Sequence, residues 1–138
     1  MIVLDASVIL KWVLDEEPQG SSARSYRNQH LAGNNQIAVP ELLFYEIASG
    51  LVAKTSLTPE EAIEGFTRIV ETELESHNLR VEDFAIAIRM SRQFNISLYD
   101  SSYIALAAAL SCEFITADAH LFKKVKSLPY VKLLTPYK

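Results

Sequence analysis

Apolar residues in this chain fall into short runs separated by longer stretches with helical spacing. Ile2-Val3-Leu4, Ile37-Ala38-Val39, Phe114-Ile115-Thr116 and Val131 to Leu134 read as short buried strands. Leu74 to Leu79 leaves room for one more extended piece. Between these runs the pattern predicts helices. Ser7 to Asp15 carries Val8, Ile9, Trp12 and Val13 at helical spacing, and Ser21 to Leu31 is polar and moderately helical. Glu41 to Lys54 is strongly helical, with Pro40 suited to its first turn. Thr58-Pro59-Glu60-Glu61 is a helix start in which Thr58 caps, Pro59 takes the first position and Glu61 closes a capping box. That helix places Ile63, Phe66, Ile69 and Val70 on one face. Glu82 to Phe94 follows with Phe84, Ala87, Ile88 and Ser91, then a helix from about Asp100 to Ser111, then a short one from Asp118 to Val125. Pro18-Gln19-Gly20, Gly33-Asn34-Asn35, Asn95-Ile96-Ser97 and Pro136 punctuate the chain.

Short apolar strands alternating with helices predict an α/β fold: a central, mostly parallel twisted sheet of four to five short strands with helices on both sides. No repeat, low-complexity tract or linker divides residues 1–138, so one domain is expected. With 49% hydrophobic and 22% charged residues the chain can build a core. No apolar run is long enough to span a bilayer. Met1 to Leu4 meets Asp5 at once and lacks a basic leader, so it does not read as a signal peptide. The lone Cys112 sits among apolar residues and reads as a small core residue of a cytoplasmic protein.

A net charge of −4 and a pI near 5.4 argue against holding nucleic acid by bulk electrostatics. They leave room for an enzyme that touches nucleic acid through a bound cation and a few local Lys or Arg. In parallel α/β sheets ligands bind at the carboxyl ends of the strands. Asp5 follows the first strand directly, and Asp118 stands two residues after Thr116. Asp100 opens a helix, and Glu46 lies inside the helix that follows the second strand.

Each aspartate alone reads well as a helix cap. Glu46 does not, because it is embedded in Leu42-Leu43-Phe44-Tyr45-Glu46-Ile47-Ala48 with no Lys or Arg three or four residues away. Ser49 and Gly50 would leave space beside it. Such a carboxylate needs a partner, a proton or a metal. Four converging acids would raise one another's pKa unless a cation intervened. The donors are all oxygens, and no zinc pattern occurs: His30, His77 and His120 are isolated. Mg2+ or Mn2+ suits such a set.

Four pieces of the chain, IVLDASVIL, VPELLFYEIASGL, SLYDSSYIALA and FITADAHLF, occur in the order and spacing of a known family. The sequence resembles the PIN-domain ribonucleases, and most closely the VapC-type toxins of toxin–antitoxin pairs, over essentially its whole length. The resemblance implies a PIN-like fold and a catalytic, metal-holding quartet of Asp5, Glu46, Asp100 and Asp118, with Ser7 and Thr116 as supporting hydroxyls. It also implies Mg2+- or Mn2+-dependent cleavage of RNA that leaves a 5′-phosphate and a 3′-hydroxyl, a homodimer, and a VapB-type antitoxin that blocks the pocket. Arg24 and Arg27, or Lys123 and Lys124 with Lys126, are the candidate RNA contacts; each set also reads as a solvated charged face. Tyr99 could stack on a base or pack at the helix entry, and Trp12 reads as core or dimer surface.

Other classes fit less well. A receiver-type phosphoacceptor domain wants adjacent acids after the first strand and a lysine after the last, whereas Asp5 has no acidic neighbour and the last strand ends in Leu134-Thr135-Pro136. A phosphohydrolase with an Asp-x-Asp pair fails at Ser7. A non-catalytic PIN-like binding module would not need the intact quartet.

Overall fold

In the computed structural model, residues 1–14 and 19–135 are described. Asp15, Pro18 and Pro136, on which three of the expected boundaries fall, lie outside them. The strands are β1 (Ile2–Leu4), β2 (Ile37–Pro40), β3 (Glu75–His77), β4 (Glu113–Thr116) and β5 (Val131–Leu133). They form a five-stranded sheet in the order β3-β2-β1-β4-β5, with every pair parallel. Central β1 is buried at all three positions, and Ile37, Ala38 and Val39 of β2 are fully buried. Successive strand residues point to opposite faces, so both faces of the sheet are covered. The edge strands β3 and β5 are more polar, which suits edges that must not pair with other chains.

The helices are α1 (Ala6–Ile9), α2 (Gly20–Leu31), α3 (Leu43–Ala53), α4 (Pro59–Val70), α5 (Val81–Phe94), α6 (Leu98–Ala109) and α7 (Ala119–Val125). A 3-10 turn, Leu10–Trp12, extends α1 and shortens the helix expected from Ser7. Trp12 is core rather than surface: it is buried, and its Nε1 donates to Ala23 O at 2.8 Å. Pro40 closes β2, as the sequence suggests, and stands before α3 rather than in its first turn; the next amide, Glu41 N–H, donates to His77 O at 3.1 Å. The capping box at Thr58 forms as the sequence predicts, with Glu61 N–H donating to Thr58 Oγ1 and Thr58 N–H to Glu61 Oε1.

Two helix faces differ from expectation. On α4 the inward residues are Gly65 and Ile69, while Ile63 and Val70 are exposed. On α5 Ala87 is inward, and Phe84 and Ile88 are exposed. The reason for α5 is layering. It packs on α6, and α6 packs on β1, β2 and β4. Helix α6 is therefore enclosed on all sides, with every residue from Ser101 to Ala107 buried, which accounts for its unbroken apolar sequence. The covered side of α5 carries Asp83, Ala87, Met90 and Phe94. Cys112 is half-buried and packs against the core.

Candidate active site

The strand order reverses at β1. The chain leaves it for β2 and β3 on one side, then crosses to β4 and β5 on the other. The crevice at the carboxyl ends of β1 and β4 is therefore the topological switch point of the sheet. Asp5 and Asp118 stand there.

Asp5 is buried, and both of its carboxylate oxygens are held. Ser7 Oγ and the Val8 N–H donate to Oδ1, and Thr116 Oγ1 donates to Oδ2 at 2.6 Å. The hydroxyls are themselves fixed from the β4–α7 turn. Ala117 N–H donates to Ser7 Oγ at 2.9 Å, and Asp118 N–H donates to Thr116 Oγ1 at 3.1 Å. Two parallel relays thus run from neighbouring backbone amides, through one hydroxyl each, to the two oxygens of a single carboxylate. Each O–H is left one direction in which to donate, so the carboxylate plane is set by backbone geometry. Oδ1 accepts two donors and Oδ2 one, which leaves a lone pair on Oδ2.

Glu46 is half-buried on α3, and Tyr103 Oη of α6 donates to its Oε1 at 2.6 Å. This is the partner its apolar surroundings call for. The space expected beside it at Gly50 serves something else: a Cβ there would stand 2.6 Å from Leu10 Cδ1, so Gly50 admits the 3-10 turn against α3. Asp100 is half-buried in the first turn of α6. It is not the cap. Ser97 is, accepting the Asp100 N–H at 3.0 Å. Asp118 caps α7 by accepting the Leu121 N–H at 3.0 Å, and Asp5 caps α1. The capping interpretation therefore holds for Asp5 and Asp118 and fails for Asp100.

Electrostatic influence links the four acids pairwise. Burial pushes Asp5 up to about 6, its three hydrogen bonds pull it back only in part, and the charge of Asp100 raises it further. Glu46 is raised by burial, with the Tyr103 hydrogen bond opposing and Asp100 again adding. Asp100 is raised by burial and by Asp118, against the hydrogen bond from Ser97 and the positive charge of Lys124. Asp100 is the common neighbour of the other three. The Tyr103 phenol is pushed well above its ordinary range by burial and by Glu46, Asp5 and Asp100, so it stays protonated and a donor.

Among the described residues no three His, Cys, Asp or Glu side chains are grouped so as to enclose an ion directly. His120 is exposed, and His77 Nε2 donates to Glu75 Oε1 at 2.8 Å. Of the basic candidates Lys124 stands nearest the acids: its Nζ donates to Asn95 O at 2.9 Å while its charge acts on Asp100. Lys123 and Lys126 are exposed on the same short helix and the residue after it. Arg24 folds back over Gly20, and Arg27 contacts the Asn28 side chain, so neither is drawn to the acids by these contacts. Tyr99 is exposed rather than packed at the helix entry.

Sequence reasoning missed two residues. Tyr103 lies three positions after Asp100 on the same helix face, and a phenol in an enclosed helix must find a partner. Ser97-x-x-Asp100 is a capping pattern in its own right, and it places the helix start before the acid.

The sheet is thus all-parallel, with Asp5 and Asp118 just beyond β1 and β4 and with Glu46 and Asp100 on α3 and α6. The chain belongs to the PIN-domain family, whose model matches residues 2–128. It is 34% identical over 125 residues to VapC ribonuclease Mb0985 of Mycobacterium bovis, an alignment covering 88% of each chain. Among solved structures it is similar to PAE2754 from Pyrobaculum aerophilum, with a TM-score of 0.70 at 15% identity over 96% of this chain and 88% of the other. It is also similar to VapBC2 from Rickettsia felis bound to a DNA fragment from their promoter, with a TM-score of 0.69 at 18% identity over 98% of this chain and 100% of the other. Membership of this family sets the receiver-type alternative aside. No described helix is long and apolar enough to cross a membrane.

Proposed function

We propose that this chain is a VapC-type endoribonuclease, a single PIN domain that hydrolyses RNA phosphodiester bonds with the help of Mg2+ or Mn2+. What supports the reading is the Asp5 carboxylate held at the switch point by Thr116, whose hydroxyl also binds Asp118, together with the influence of Asp100 on Asp5 and Glu46 and of Asp118 on Asp100. Three of these acids sit above their ordinary pKa, the condition a cation relieves. The 34% identity to a VapC ribonuclease points to the same activity.

The donor set fits a hard cation. All the donors are oxygens, and Asp5 Oδ2 keeps a lone pair. Among the described residues no three acids enclose an ion directly, so the ion that suits them is one that retains part of its water shell, as Mg2+ does. Asp5, Glu46 and Asp100 would hold it, with Asp118 completing the site. Bound there, a divalent ion would supply an activated water and offset charge developing on the phosphate. The chain's own residues do the rest. Ser7 and Thr116 fix the plane of Asp5, and Asp118 keeps one oxygen for the α7 cap and turns the other outward. Lys124 at the rim offers a cation to an RNA phosphate. Arg24, Arg27 and Lys123 have no contact that favours them equally.

The partners follow from the same reading: a VapB-type antitoxin that occupies the acidic crevice, and a second copy of the chain. For the second copy, exposed apolar residues on consecutive helices are the support: Tyr45 and Val52 of α3, Ile63 of α4, and Phe84 and Ile88 of α5. Tyr45 and Phe84 share one groove of about 380 Å³. A cytoplasmic location suits an enzyme that acts on RNA.

A nuclease assay on structured and unstructured RNA, with Mg2+, Mn2+ or EDTA, tests the reading with wild type beside Asp5→Asn. Cleavage by the wild type with either ion, absent in EDTA and absent in the variant, is the expected result. Cleavage in EDTA, or by the variant at the wild-type rate, would overturn it.

A further inference from the structure

The metal-site reading above gives the buried Tyr103 phenol no role. Helix α6 is enclosed from Ser101 to Ala107, and within that stretch Tyr103 carries the only polar atom at the end of a long side chain. Its ring is 1% exposed and stacks on Phe114 of β4 at 5.9 Å between centroids, with 14° between planes. The ring is thus locked between the helix and the sheet. Its hydroxyl emerges at the one place where α3 passes, and it donates to Glu46 Oε1 at 2.6 Å.

The two partners are unequal. Tyr103 is held by its packed ring, whereas Glu46 is a three-torsion side chain that is only half-buried. Left alone it would sample rotamers that reach solvent, as long charged side chains do. A neutral donor fixed by ring packing removes that freedom and uses only one of the carboxylate's lone pairs. Tyr103 and Asp100 lie three residues apart on one face of α6, so the group that fixes Glu46 comes from the same rigid element that supplies Asp100.

We propose that Tyr103 is a positioning residue: through its hydroxyl it holds the Glu46 carboxylate toward Asp5 and Asp100, so that a divalent cation meets a preassembled set of oxygens. The proposal rests on the metal-site reading. It assigns Tyr103 no contact with the RNA or with the ion. Its effect falls on how tightly the ion is held rather than on the chemistry once the ion is in place. Partners that orient a metal ligand are typically worth about 10- to 100-fold in metal affinity.

Tyr103→Phe keeps the ring and its stack on Phe114 and deletes only the oxygen. The test is a calorimetric Mn2+ titration without RNA, on wild type, Asp5→Asn, Tyr103→Phe, Glu46→Ala and the Glu46→Ala/Tyr103→Phe pair. Cleavage is measured in parallel at saturating Mn2+. The expected result for Tyr103→Phe is about a tenfold or greater loss of Mn2+ affinity, with kcat at saturating Mn2+ within about threefold of wild type. In the Glu46→Ala background the same change should leave affinity unaltered, because the hydroxyl then has no side-chain oxygen to hold. Wild-type affinity in Tyr103→Phe, or an equal loss in both backgrounds, would overturn the proposal while leaving the metal site intact. Wild type that binds no Mn2+, or Asp5→Asn that binds it equally well, would instead overturn the metal-site reading and this proposal with it. A metal-free melting temperature for Tyr103→Phe near that of wild type shows that the change in affinity is not a loss of fold.

Discussion

Thr116 Oγ1 donates to Asp5 Oδ2 at 2.6 Å, joining the last residue of β4 to the first residue beyond β1 across 111 positions of sequence. The same oxygen accepts the Asp118 N–H, so one hydroxyl ties two of the four acids to each other. Thr116→Val keeps the shape of the side chain and removes this junction. A buried carboxylate loses a donor, and an amide loses its acceptor. We expect a destabilisation of about 1–3 kcal/mol, read from urea unfolding of metal-free protein, and a weaker Mn2+-induced rise in melting temperature. Unchanged stability would show that Asp5 is held by Ser7 and Val8 alone.

How much of this was legible in the sequence depends on how local each signal is. The strands were readable because β1, β2 and β4 are buried on both faces and so appear as unbroken apolar runs. The Thr58 capping box was readable because its reciprocal bonds span three residues. The inward face of α5 was misread because the helix carries apolar residues on two sides, and the side that packs inward holds Ala87, Met90 and Phe94 rather than Phe84 and Ile88. For the site, the position of acids after strands was visible. The relays through Ser7 and Thr116 were expected from resemblance, and their anchoring in the amides of Ala117 and Asp118 is a tertiary fact that no spacing encodes. The Tyr103–Glu46 bond spans 57 positions and is invisible to local pattern for the same reason.

The Asp5 carboxyl gives a pH prediction whose sign is fixed. Its folded pKa of about 6 lies above the ordinary value of 3.8. The folded protein therefore keeps a proton that the unfolded chain has already released in this interval. This contribution to stability is fully present below about pH 4 and is lost as pH rises through about 6. At about 1.4 kcal/mol per pH unit it amounts to roughly 3 kcal/mol. Glu46 and Asp100, also raised, act in the same direction. We expect metal-free wild type, measured in EDTA, to lose stability between about pH 4 and pH 7 relative to Asp5→Asn. Saturating Mn2+ should reverse the trend, because the ion binds the ionised form and binds it better as pH rises. Parallel pH curves for the two proteins without metal would refute this assignment.

His30 is buried at the end of α2 and makes two bonds that only one tautomer allows. Its Nδ1 accepts the Ile37 N–H at 3.0 Å, and its Nε2 donates to Thr72 O at 2.8 Å. It thereby sets the start of β2 against the turn that leads to β3, away from the acids. His30→Leu fills similar space and leaves a buried amide and a carbonyl unpaired. We expect a loss of at least about 2 kcal/mol in unfolding free energy. Cleavage per folded molecule at low temperature should be unchanged, since no bond of His30 reaches the crevice. A drop in kcat without a drop in stability would mean that the β2 end positions α3, and with it Glu46, more directly than these contacts indicate.

Asp100 and Ser97 divide between them two tasks that the sequence assigns to one residue. Ser97 Oγ accepts the Asp100 N–H and so starts α6, which leaves the Asp100 carboxylate free of capping duty. Ser97→Ala should cost about 1 kcal/mol of stability, the usual worth of a cap. Asp100→Asn should behave in the opposite way. It removes the charge that raises Asp5 and Glu46 and that is itself raised by Asp118, so neutralisation relieves repulsion in the metal-free protein. A favourable interaction of an acid with the first turn of the helix works against this, but the raised pKa shows that the ionised form is disfavoured on balance. We expect the metal-free melting temperature of Asp100→Asn to rise by a few degrees at neutral pH, and its Mn2+-induced shift and RNA cleavage to be lost. Thermal melts with EDTA and with Mn2+, run on both variants beside wild type, separate the two roles. If Asp100→Asn melts lower without metal and still responds to Mn2+, then the carboxylate serves the helix and not the cation.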